Sequence, residues 1–247
     1  MKAVIITGGF IDDEFTLDYI KKENYDITFA VDKGLGFFHR TGSVPDYIVG
    51  DFDSVEEAVL REYEESLGRQ CCEEEPRCED GRQREGSRRC DNKKTQVIRL
   101  NPMKDDTDTE HALHMALDMG CKEIHIFGAT GTRLDHVLGN LQLLGYGLRQ
   151  NVGCVMIDPH NRIRLIDKET VLEREKQFGK YVSLIPYTPQ VTGLTLEGFL
   201  YPLQNHTMSS FYVEGAAPIS GVSNEIVEST ARIQLESGIL VLVEARD

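Results

Sequence analysis

The sequence predicts an α/β domain with a parallel sheet and flanking helices over residues 1–160, followed by a smaller all-β sandwich domain over residues 161–247. Three observations carry this. Short, nearly all-apolar, β-rich runs alternate with amphipathic segments as far as residue 157, as expected for strands covered on both faces by helices. After Asp158-Pro159 helical periodicity stops, and short β runs broken by Gly, Pro and Asn replace it. A chain of 247 residues, 40% hydrophobic and 28% charged, is long enough to bury two modest cores.

The expected strands of the first domain are 3–7, 27–31, 47–49, 96–100, 123–127 and 154–157. Helical patterns fall at 13–22, 35–40, 55–66, 108–119 and 135–148. Two helix starts carry capping boxes, Ser54 with Glu57 and Thr107 with Glu110. In the second domain the β runs are 181–185, 191–196, 208–213, 231–235 and 239–243. Residues 68–94 fit neither pattern. They are charged, lack periodicity and contain Cys71, Cys72, Cys78 and Cys90, whose spacing does not make the paired knuckle of a zinc site. They read as an exposed, mobile insertion.

Bulk properties exclude several functions. A net charge of −14 argues against nonspecific nucleic-acid binding, which needs a basic face. No apolar run approaches the ~20 residues of a membrane span. The start, Met1-Lys2-Ala3-Val4-Ile5-Ile6, is too short and strand-like for a secretory signal, so a cytoplasmic protein with reduced thiols is expected. The same charge would repel a nucleotide unless divalent cations and a few placed Lys or Arg residues reversed the local field.

Three strand-to-helix connections can do that. Gly50-Asp51-Phe52-Asp53-Ser54 follows a strand, where open α/β sheets bind ligands, and two carboxylates on one tight turn can converge on a hard cation. A plain solvated turn with a helix cap is the alternative for an isolated D-x-D. A second acidic turn, Lys104-Asp105-Asp106-Thr107-Asp108, occupies the equivalent place after the next strand. Compensation of the helix dipole would account for Asp108 and Glu110 but not for Lys104 or the acids before the cap. The third connection is Gly128-Ala129-Thr130-Gly131-Thr132-Arg133-Leu134-Asp135-His136. Its glycines let backbone amides approach an anion, and Arg133 offers a planar fork for phosphate. His136 and Asn140 are one helical turn apart. Asp32, ending the second strand, either joins this rim or is a turn residue. Gly8-Gly9 lacks the full dinucleotide pattern, and the chain has no P-loop.

The ordered set resembles the thiamine pyrophosphokinase family. The likeness runs through Asp32–Gly34, Pro45-Asp46 into Gly50-Asp51-Phe52-Asp53-Ser54, Lys104-Asp105-Asp106-Thr107-Asp108, and Gly128 through Arg133-Leu134-Asp135-His136 with Asn140. It continues in Gly198-Phe199-Leu200-Tyr201-Pro202-Leu203 and Gly221-Val222-Ser223-Asn224-Glu225. The resemblance implies an α/β catalytic domain followed by a β-sandwich, and a homodimer with thiamine bound between subunits. It implies transfer of a pyrophosphoryl group from ATP to thiamine, giving thiamine diphosphate and AMP. By the same resemblance Asp51, Asp53 and Asp108 are the magnesium ligands, with Arg133 and Asp135 beside them in the catalytic set. Asp32, Lys104, Asp106, Arg133, His136 and Asn140 would meet ATP, and Tyr201, Ser223 and Asn224 would contact thiamine. The family often has glycine where this chain has Thr132.

Two rivals stand beside this reading. A magnesium-dependent phosphohydrolase of the haloacid dehalogenase type also uses a D-x-D motif, but after the first strand, whereas Asp51 follows the third. A non-catalytic thiamine- or nucleotide-binding module has little use for so many acids beside phosphate.

Overall fold

The computed structural model describes residues 1–52, 95–101, 106–211 and 221–247. The expected helix 55–66, its Ser54–Glu57 capping box and the insertion 68–94 lie outside them.

Six parallel strands form the first part of the molecule: β1 (Lys2–Ile6), β2 (Ile27–Val31), β3 (Tyr47–Gly50), β4 (Gln96–Arg99), β5 (Glu123–Phe127) and β6 (Gly153–Ile157). They lie in the order β6-β5-β1-β2-β3-β4. Alternation along each strand divides the core. Ala3 and Ile5 face one side, with Ala112, Leu113 and Ala116 of α3 (Asp108–Asp118) and Leu143 and Leu144 of α4 (Leu134–Arg149). Val4 and Ile6 face the other side, where α1 (Asp13–Glu23) and α2 (Leu35–Thr41) pack through Phe15, Leu35, Phe37 and Phe38. The apolar runs were legible because both faces of the inner strands are buried; the edge strand β4 is less covered.

At residues 158–160 the chain reverses. The buried Asp158 accepts from the backbone N–H of His160 and Asn161, both at 2.8 Å, and the next strand returns antiparallel to β6. β7 (Asn161–Ile166), β14 (Leu240–Ala245), β9 (Tyr181–Pro186) and β12 (Asn224–Glu225) extend the first sheet, giving ten strands among the described residues. A four-stranded antiparallel sheet, β11-β10-β13-β8, covers this extension. Its strands are β8 (Thr170–Glu173), β10 (Gln190–Glu197), β11 (Leu203–Ser209) and β13 (Thr230–Gln234). The sandwich core between the layers holds Val182, Leu184, Leu240 and Leu242 against Val191, Leu194, Leu196, Ala231 and Ile233. Val241, between two of these, packs with α4 instead.

Two expectations about local structure need correction. The strand expected at 208–213 lies earlier, at Leu203–Ser209. It is an edge strand of mostly polar residues, with bulges in its pairing to β10, so its alternation is faint. The Thr107–Glu110 capping box forms only in part. Thr107 Oγ1 accepts from Glu110 N at 3.1 Å, but the Glu110 carboxylate accepts from Tyr146 Oη at 2.8 Å. Among the described residues no helix is long and apolar enough to cross a membrane.

Candidate active site

The carboxyl ends of β1, β2, β3 and β5 open into a cleft of about 1250 Å³, walled by the first turns of α3 and α4. Three carboxylates meet there. Asp32 follows β2, Asp51 follows β3, and Asp108 opens α3; each offers an oxygen within 4.8 Å of the others. All three are half-buried.

The backbone explains how residues distant in sequence converge. Parallel pairing sets Val31 against Val49, so Asp32 comes level with Gly50 and Asp51 leaves the neighbouring strand one residue beyond it. A Cβ on Gly50 would lie 2.2 Å from Asp32 Oδ1, so only glycine admits the Asp32 side chain beside β3. Asp32 has φ 47°, which aspartate tolerates. Phe52 has φ 62°, which a bulky residue avoids. The Phe52 ring is held in the core beneath, with the Arg99 guanidinium 5.4 Å from its centroid. The turn that presents Asp51 is thus held in a costly conformation by packing on its neighbour.

The anion-facing side comes from two loops joined to each other. Gly9 N donates to Gly128 O at 2.8 Å and Phe10 N to Thr130 O at 2.7 Å. A Cβ on Gly9 would sit 2.2 Å from Thr130 O, so the loops can approach only because Gly9 is glycine. Asn140 lines the cleft, yet its amide Nδ2 donates to Ala129 O at 2.9 Å and so braces this loop. Arg133 stands at the mouth, exposed. Its Nε and Nη2 form a fork on Asp135, at 3.2 and 2.5 Å. That contact is the main cause of the Asp135 carboxyl being held down at about 2. Asp106 and His136 also line the cleft; Asp106 lies 3.7 Å from His111 Nδ1.

Converging hard oxygen donors suit a magnesium-sized cation, which needs only one or two of these carboxylates as direct ligands and keeps several waters. Asp53 and Lys104, both expected here, lie outside the described residues. Sequence reading passed over Thr7, Gly8, Gly9 and Tyr146 as site residues. Gly8-Gly9 directly after the first strand was the available signal; Tyr146 in a helix interior carried none.

Tyr201, Ser223 and Asn224 stand elsewhere. Tyr201 is 65% exposed, so it does not fill the sandwich core. Asn224 uses its amide on the backbone: Oδ1 accepts from Tyr201 N at 3.0 Å and Nδ2 donates to Tyr201 O at 2.9 Å. Ser223, with φ 60°, donates its N–H to Ser183 Oγ at 3.0 Å. None of the three lines the cleft of its own chain.

The chain matches known proteins over most of its length. Residues 19–156 match the family description "Thiamin pyrophosphokinase, catalytic domain", and residues 169–240 match "Thiamin pyrophosphokinase, vitamin B1 binding domain". The chain is 30% identical over 228 residues to thiamine pyrophosphokinase of Bacillus subtilis, covering 91% of this chain and 90% of that one. Its fold is similar to the crystal structure of the Bacillus subtilis protein, with TM-score 0.77 and 29% identity over 100% of both chains. A thiamin pyrophosphokinase from Geobacillus thermodenitrificans gives TM-score 0.76 at 25% identity, covering 100% of this chain and 98% of that one.

Proposed function

Because the chain belongs to the thiamine pyrophosphokinase family, an enzyme family, we propose that it moves the pyrophosphoryl group of ATP to the hydroxyl of thiamine, releasing thiamine diphosphate and AMP. The observation that carries this is the convergence of Asp32, Asp51 and Asp108 beside glycine loops and Arg133 in one cleft. In the reaction the thiamine oxygen bonds to the β-phosphorus, the bond from that phosphorus to the α,β-bridging oxygen breaks, and the hydroxyl proton is released. Asp32, Asp51 and Asp108 would hold magnesium, with Asp53 as a further ligand; the cation supplies neutralisation of phosphate charge when bound.

The chain's own residues position and shield. Backbone amides of the paired loops face the phosphates, and Arg133 exchanges the Asp135 carboxylate for phosphate oxygens as nucleotide arrives. Lys104, Asp106, His136 and the Asn140-braced loop complete the nucleotide side. Such transfers depend mainly on alignment and charge neutralisation, so no covalent nucleophile is required.

Thiamine is read at Tyr201, Ser223 and Asn224. Their absence from the lining of their own chain's cleft, and the exposure of Leu200, Tyr201 and Val222 together, support a homodimer in which one protomer's sandwich faces its partner's cleft. We divide the chain accordingly into a catalytic part, 1–160, and a thiamine-binding part, 161–247, working in the cytoplasm. Incubation with ATP, magnesium and thiamine, followed by separation of nucleotides and thiamine esters, tests the reading. AMP and thiamine diphosphate are expected. ADP with thiamine monophosphate, or inorganic phosphate released without thiamine, would overturn it.

A further inference from the structure

Asp108 opens α3, and the two residues after it are each bonded to a different element. The buried Thr109 shares a 2.7 Å hydroxyl–hydroxyl hydrogen bond with Thr7, just past the end of β1. Glu110 accepts a 2.8 Å bond from Tyr146 Oη on α4. Successive helical residues point ~100° apart around the axis, so these two bonds restrain the turn in two directions. His114, one turn further on, sets its ring edge-on to Tyr146 at 4.6 Å between centroids, and its Nε2 lies 3.8 Å from Glu110 Oε1. A glutamate three residues after a threonine cap ordinarily returns to the cap's own N–H. Here it reaches across to the opposite wall of the cleft, so helix capping does not account for where its carboxylate goes.

We propose that Thr109, bonded to Thr7, and Glu110, bonded to Tyr146, are positioning residues that hold Asp108 in the three-carboxylate cluster and fix the spacing between the cleft's two walls. The physical need is plain. Three carboxylates within 4.8 Å repel one another before a cation arrives, and the first turn of a helix is its least restrained part. Bonds on both sides of the turn keep Asp108 from relaxing outward. The Tyr146 bond also joins the helix bearing Asp108 to the helix whose start bears Arg133 and Asp135. This inference rests on the reading of Asp32, Asp51 and Asp108 as a metal site.

The test is Mn²⁺ binding without nucleotide, read from the electron paramagnetic resonance of free Mn²⁺, alongside steady-state kinetics and thermal melts. Tyr146→Phe keeps the ring against His114 and removes only the hydroxyl. Thr109→Val removes the other bond, and Thr109→Ser retains it. Tyr146→Phe and Thr109→Val should each weaken Mn²⁺ binding on the order of 10-fold, as for other partners that orient metal ligands, and lower kcat with the thiamine KM unchanged. Thr109→Ser should bind as the parent does. Should Thr109→Val not fold, Tyr146→Phe carries the test by itself. Parent-like Mn²⁺ binding by Tyr146→Phe, with only the melting point altered, would overturn the proposal while leaving the metal site standing. A parent protein that binds no Mn²⁺ would overturn both.

Discussion

The rim of the cleft and the tip of the sandwich handle polar side chains in opposite ways. At the rim, carboxylates from three separate loops are turned toward one point, and a left-handed backbone at Asp32 and a strained one at Phe52 accompany them. At the tip, Asn224 is tied to the Tyr201 backbone and the Ser223 N–H to Ser183 of β9, and what is exposed is the Tyr201 ring with Leu200 and Val222. One region is a nearly complete site built by a single chain. The other is a braced aromatic platform, left exposed among the described residues. On the proposed function, the difference teaches that phosphate chemistry calls for converging charge, whereas recognition of an aromatic substrate calls for a rigid face held by backbone hydrogen bonds.

The largest effect should come from the rim. Asp51→Asn is expected to lower turnover on the order of 100-fold or more, with little change in melting temperature, because a half-buried amide keeps the turn but ligates a hard cation poorly. Turnover close to the parent's in a folded variant would remove Asp51 from the site and erase the contrast. At the tip, Tyr201→Ala should raise the thiamine KM about 10-fold, the scale of one aromatic contact, with the ATP KM unchanged. An effect on ATP alone would place Tyr201 at the nucleotide.

Mixing the two variants sharpens the comparison. Subunit exchange between Asp51→Asn and Tyr201→Ala protomers should restore up to about a quarter of parent activity at low thiamine, since half the dimers are mixed and each has one intact shared site. No recovery, with exchange demonstrated, would put rim and tip in one chain's site. Asn224→Ala should have a smaller effect, costing about 1–2 kcal/mol in urea unfolding through its lost backbone bonds and raising the thiamine KM by releasing Tyr201. Unchanged stability would mean the tip is not braced as described.

A region outside both serves as control. Near the amino end of the same sheet, His125 is buried, with Tyr25 Oη 2.6 Å from Nδ1 and Glu123 Oε1 2.9 Å from Nε2. Burial, seconded by the charge of Lys2, pushes its pKa down to about 4. An unfolded histidine titrates near 6.5, so between those values the unfolded chain binds more protons than the folded protein. This contribution to stability is present above pH ~6.5 and lost as pH falls toward 4, by at most about 1.4 kcal/mol per pH unit. His125→Gln should flatten that part of the urea-stability profile and leave turnover at pH 7.5 unchanged. A profile as steep as the parent's would assign the acid sensitivity to other groups.

Much of this was legible from residue order. Strands buried on both faces show as continuous apolar runs, which is why β1, β2, β3, β5 and β6 stand out, and the change of pattern after Asp158-Pro159 coincides with the reversal into β7. The acidic turns at Asp51 and Asp108 and the loop bearing Arg133 announce themselves through charge at strand ends. β7, β8 and the early position of β11 did not, because strands with one wet face or a free edge are written in polar residues.

The chain's own order therefore determined the fold class, the motifs and the family, since hydrophobic period and short charged turns are local properties. Tertiary structure decided which acids meet. Asp32 joins Asp51 because parallel register brings Asp32 level with Gly50, next to Asp51, and Gly50 leaves room. It also decided that Glu110 bonds Tyr146, thirty-six positions away, in preference to its own helix cap. It likewise decided that the sandwich layer continues the catalytic sheet, through strand pairings between residues as far apart as Arg162 and Glu244. These are matters of register and packing between distant segments, and no local pattern encodes them.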